Sequence, residues 1–164
     1  MAVLNDSPFA VLTAVVAPAI LTNACSVLCL GTANRIARVV DRTRVVTAAR
    51  ATLAEGSADY QGYSRQLERL QMRGRLLLKA LQIFYASLGA FAASALAAVV
   101  GSVFTAYDVP IAFQVSALIG FVAGAGGISA LVMGCIHMVR ETRLAIQNMA
   151  EEVDFARTHK GGTA

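Results

Sequence analysis

Tryptophan is absent from the 164-residue chain, and charge is scarce: Asp, Glu, Lys and Arg make up only 15% of it. A soluble domain carries about 25% charged residues, so there is too little here to cover an ordinary wetted surface. Apolar residues reach 57% and the mean hydropathy is +0.62, which excludes a disordered chain. Cysteine is too sparse for a disulfide framework. Cys25, Cys29 and Cys135 are odd in number, lie inside apolar runs and form no CxxC pair. They read as small buried hydrophobes.

Chemistry-bearing motifs are missing too. There is no GxGxxG, P-loop, HExxH or Cys/His zinc pattern. Cys29, Cys135 and His137 lack ligand spacing, and no nucleophile has an evident base. No catalytic residue, metal or cofactor is expected, and the chain does not read as an enzyme.

Long charge-free runs are what the sequence does have. No charged residue occurs from Ser7 to Asn34 or from Ala80 to Tyr107, and from Val109 to Val139 the only titratable group besides the Cys135 thiol is His137. A spanning helix needs about 20 mostly apolar residues, because the hydrocarbon core is ~30 Å thick and each residue rises 1.5 Å. The expected fold is all-α, one membrane domain with spans at 9–33, 80–105 and 110–137. Residues 1–8 hold no Lys or Arg and the first run outlasts a signal core, so a retained anchor is expected rather than a cleaved leader. Asp108-Val109-Pro110 reads as a tight turn, with Pro110 in the first turn of the next helix.

The distribution of the 14 Lys and Arg gives an orientation: ten fall between Arg35 and Lys79, and the rest follow Val139. Positive loops stay inside. The N-terminus is therefore expected outside and the C-terminus in the cytoplasm. This also accounts for the basic pI without nucleic acid as a partner. Residues 34–79 read as a cytoplasmic helical hairpin. Asn34 to Glu55 continues span one, a turn is marked by Gly56-Ser57-Ala58-Asp59 and Gly62, and Ser64 to Leu78 is helical again. The tail, 138–164, continues span three as a helix to about Ala156, bears Glu151, Glu152 and Asp154, and is expected to loosen from His159 onward.

Within lipid, small residues permit close helix approach. Gly120, Gly124, Gly127 and Gly134 in span three, with the Ser and Ala of span two, suit packing within one subunit or between subunits. At 100° per residue, Asn23, Ser26, Asn34, Arg38 and Asp41 share an arc about 120° wide on the first helix. Such a stripe suits interhelical hydrogen bonds or a water-filled path. Arg35, Arg38 and Arg42 stand just below the expected bilayer, on its cytoplasmic side. They suit positive-inside anchoring and contact with anionic headgroups, or a ring that favours anions.

Two segments carry a family likeness: LTAVVAPA, Leu12 to Ala19, and LGTANRIARVVDR, Leu30 to Arg42. With them the chain resembles a bacterial membrane family catalogued only as a domain of unknown function, over roughly residues 10–145. The resemblance implies a small multi-pass inner-membrane protein and brings no activity and no catalytic residue. Three functions remain open. One is a homo-oligomeric channel-like assembly with span one nearest the axis. Another is a non-conducting scaffold or accessory subunit that docks a cytoplasmic protein partner through the hairpin. The third is a lipid-binding, membrane-shaping protein working through its arginines.

Overall fold

The computed structural model describes residues 8–107 and 109–160, with side chains for 16–107 and 109–146. Glu151, Glu152, Asp154 and His159 lie outside the described side chains, and residues 161–164 outside the described chain. Among the described residues the regular elements are three helices: α1, Pro8–Ala51; α2, Ala58–Ala106; and α3, Pro110–Lys160. They contain 44, 49 and 51 residues. Each is about twice as long as the ~20 residues that crossing a bilayer requires. All three are long and apolar enough to cross a membrane.

Local chemistry sets the ends. α1 closes with tightened bonds, Thr52 N to Ala49 O and Leu53 N to Arg50 O, which satisfy carbonyls left over at its C-terminus. Gly56 then takes φ +89°, a conformation that costs glycine little because it has no Cβ. Ser57 caps α2, its Oγ accepting from Tyr60 N at 3.1 Å. That cap lies earlier than the glycine pattern implies, so Gly62 falls inside α2 rather than in the turn, and α1 ends short of Glu55. At the other connection, Val109 N bonds Phe104 O to close α2, and Val109 O accepts from Phe113 N to open α3. Pro110 sits in the first turn of α3, where its missing N–H leaves nothing unsatisfied.

The chain divides into two compact units: Met1–Gly31 with Leu81–Gly134, and Thr32–Ala80 with Cys135–Ala164. In the first, α2 and α3 pack antiparallel by inserting rings over glycines. A Cβ on Gly127 would stand 2.7 Å from the Phe91 ring, and one on Gly134 would overlap the Phe84 ring. Gly120 lies against Ala97, and Gly124 against Ser94. Three serines cross the same contact: Ser87 Oγ donates to Gly127 O (3.0 Å), Ser94 to Gly120 O (2.8 Å) and Ser116 to Ala97 O (2.7 Å). α1 joins this unit through buried Cys25 and Cys29, with Cys25 Sγ donating to Phe84 O at 3.5 Å. Cys135, expected to be buried with the other two, is exposed instead.

The second unit has its own apolar core of Val39, Val46, Leu70 and Leu77, flanked by Ile36, Leu67 and Met138. Val39 and Val46 are seven residues apart on α1, and Leu70 and Leu77 seven apart on α2. That spacing keeps one face of each helix turned toward its neighbour. Near the turn, the Arg50 guanidinium lies 5.6 Å from the Tyr60 ring centre, within cation–π range.

Candidate functional site

The second unit buries a carboxylate. Glu141 of α3 is 2% exposed, and every helix contributes to its surroundings. Arg73 of α2 reaches Oε1 with Nε (2.9 Å) and Nη2 (2.8 Å). Arg35 of α1 reaches Oε2 with Nη1 at 3.4 Å. The same Nη1 donates to Thr142 Oγ1 at 3.2 Å, and the Thr142 hydroxyl donates to Met138 O at 3.0 Å. Beside this cluster, Thr32 is buried and its hydroxyl lies 3.6 Å from Met138 Sδ. His137, one turn before Glu141, is buried as well, and its Nδ1 has no partner among the described residues.

A buried carboxylate without partners would cost several kcal/mol, and two guanidinium groups compensate it. Both carboxylate oxygens are taken by cations. The arrangement therefore ties α1, α2 and α3 together by ion pairs within this unit. The cluster holds one negative charge and two positive ones, and Arg35, half exposed, carries the excess.

The polar stripe of α1 points the other way. Asn23 and Ser26 are exposed in the first unit, and Asn34, Arg38 and Asp41 in the second. The buried residues of the same helix are Cys25 and Cys29 in the first unit and Thr32, Val39 and Val46 in the second. With Asn23 at zero, these fall between about 140° and 240°, opposite the stripe. Ser26 Oγ donates to Thr22 O at 2.9 Å, while the Asn23 carboxamide makes no hydrogen bond among the described residues. Among the described residues no hydrogen bond or ion pair joins the stripe to α2 or α3, whereas Cys25 joins α1 to α2 in the first unit. Arg42 is exposed and unpaired among the described residues. There, too, no group of three or more His, Cys, Asp or Glu is placed to hold a metal.

The family described as a protein of unknown function, DUF2721, matches residues 15–151. The chain belongs to this family. No curated protein and no solved structure matches it. The DUF2721 match takes in all of α2 and most of α1 and α3, so the Glu141 cluster and the whole α1 stripe lie inside it.

Sequence reasoning found the stripe and the glycines and missed the cluster. Glu141, Arg73 and Thr142 belong to no motif that singles them out. One signal was present: Glu141 is the first carboxylate after span three and stands between Arg140 and Arg143, one turn from His137. A single acid in so basic a neighbourhood has several possible partners, and the sequence does not say which of them is buried with it.

Proposed function

We propose that this DUF2721 protein is a multi-pass protein of the bacterial inner membrane, N-terminus outside and C-terminus cytoplasmic, that self-associates through the outward face of α1 into a channel-like assembly. The observation that carries the reading is Asn23. It lies deep in the charge-free stretch from Ser7 to Asn34, exposed and without a hydrogen bond among the described residues. An unpaired carboxamide in hydrocarbon costs about 2–7 kcal/mol, so such groups face protein or water. A second copy of α1, or a wet axis shared by several copies, supplies what lipid lacks. Ala24 and Gly31 on the same helix are exposed and small, and a Cβ on Gly31 would meet nothing within 4 Å. They leave room for a neighbouring helix to approach.

A second reading has support of its own. Val45 and Met72 of the second unit are each 59% exposed, in the segment expected to lie outside the bilayer. A non-conducting scaffold that docks a cytoplasmic partner through residues 34–79 would use such positions.

The subunit count of the purified protein in native-lipid nanodiscs, followed by flux in proteoliposomes, separates the two. A ring of four or more copies, with flux altered by Asn23→Leu and the ring intact, supports the channel. A monomer or dimer overturns a shared axis. A ring without flux leaves the scaffold.

A further inference from the structure

Arg35 and Arg73 hold their guanidinium groups differently. Nη1 of Arg35 makes both of its contacts, to Glu141 Oε2 and Thr142 Oγ1, while Nε and Nη2 make none among the described residues. Nε and Nη2 form the side-on fork that binds carboxylate or phosphate through two parallel hydrogen bonds. Arg73 applies that same fork to Glu141 Oε1. The carboxylate is therefore already balanced by Arg73, and Arg35 keeps both its charge and its fork.

Three further observations say what the fork meets. The Arg35 side chain is 49% exposed, so an anion can reach it. Thr142, whose proton is committed to the Met138 carbonyl, offers a lone pair to Nη1 and fixes the guanidinium before any ligand arrives. A group ordered in advance loses less freedom on binding. Finally, Arg35 is the first charged residue after the run from Ser7 to Asn34, which sets it at the bilayer boundary, where headgroup phosphates lie. Arg38, exposed one turn further on, adds a second positive charge, while Asp41 stands about 120° round the helix from Arg35.

We propose that Arg35, positioned by Glu141 and Thr142 and assisted by Arg38, binds the phosphate of an anionic lipid headgroup beside the α1–α3 contact of the second unit. The proposal rests on the membrane placement of the helices and is independent of self-association and of conduction.

The test measures the affinity of the full-length protein for phosphatidylglycerol by native mass spectrometry. Phosphatidylcholine and inorganic phosphate serve as separate arms. Arg35→Gln removes the fork but also disturbs Glu141, so Arg35→Lys is measured beside it; it keeps the charge and lacks the fork. Phosphatidylglycerol affinity is expected to fall about tenfold in Arg35→Lys, the equivalent of one charge-assisted hydrogen bond, and to hold in Arg44→Gln, which removes an exposed charge elsewhere. Unchanged binding in Arg35→Lys overturns the proposal. An equal fall in Arg44→Gln overturns it in favour of diffuse attraction. Inorganic phosphate binding as tightly as phosphatidylglycerol reassigns the site to a free anion and also overturns it.

Discussion

Glu141 is among the largest fully buried side chains of the chain, and it is charged. Removing one member of a buried ion pair typically costs about 3–5 kcal/mol, because the remaining charge stays desolvated. Glu141→Gln leaves Arg73 without its carboxylate and is expected to lower stability on that scale, read as a fall in melting temperature in nanodiscs. Arg73→Gln should cost more than Arg35→Gln. Arg73 makes two contacts shorter than 3 Å and is less exposed, whereas Arg35 makes one longer contact with the carboxylate from a half-exposed position. Equal losses for the two arginines would refute this ranking. The residue scale is also where the sequence was least legible. The angular arc of Asn23, Ser26, Asn34, Arg38 and Asp41 follows from helical periodicity alone. Its direction does not, because a stripe turned inward as interhelical glue and one turned outward have the same period. Cys25, Thr32 and Val39 define the inward face, and the side facing a neighbouring helix is decided by packing that periodicity cannot see.

Among elements, the glycines of α3 divide into two kinds. Gly127 is covered by the Phe91 ring, while a Cβ on Gly126 would meet nothing within 4 Å. Gly127→Ala is expected to destabilise by about 1–3 kcal/mol, as overpacking in a close contact does. Gly126→Ala should be neutral or stabilising by up to ~1 kcal/mol, since alanine is the better helix former. Thermal melting of the two variants side by side checks the contrast, and a loss for Gly126→Ala equal to that for Gly127→Ala would contradict it. The small-residue spacing of α3 is legible in the sequence. The rings that fill it are not, because Phe84 and Phe91 sit in an Ala- and Leu-rich helix where several apolar residues offer the same volume. Turn chemistry was legible only in part. Gly56 and Ser57 were marked, but the side-chain cap at Ser57 starts α2 early enough to take in Gly62.

For the whole molecule, three apolar helices and the one-sided distribution of Lys and Arg were plain in the sequence, since both depend on composition over long windows rather than on single contacts. The orientation proposed from that distribution has a direct check. In a background with Cys25, Cys29 and Cys135 replaced by alanine, Tyr107→Cys should react with a membrane-impermeant maleimide on intact spheroplasts. Thr52→Cys should react only after the membrane is opened. The reverse pattern would invert the protein and transfer its arginines to the outer face. The α2–α3 contact has a further implication for how the chain reaches a single alignment. Phe84 and Phe91 are seven residues apart, and so are the glycines they cover, Gly134 and Gly127. A slip of one residue turns a helix by about 100° and carries both rings off their glycines at once. A slip of seven one way sets Phe91 over Gly134 but leaves Phe84 without a glycine, whereas a slip of seven the other way sets Phe84 over Gly127 and Phe91 over Gly120. The pairing thus works as a two-tooth key cut at a seven-residue pitch: a slip of one residue loses both teeth, and the shifted register that reseats both rings leaves Gly134 without one.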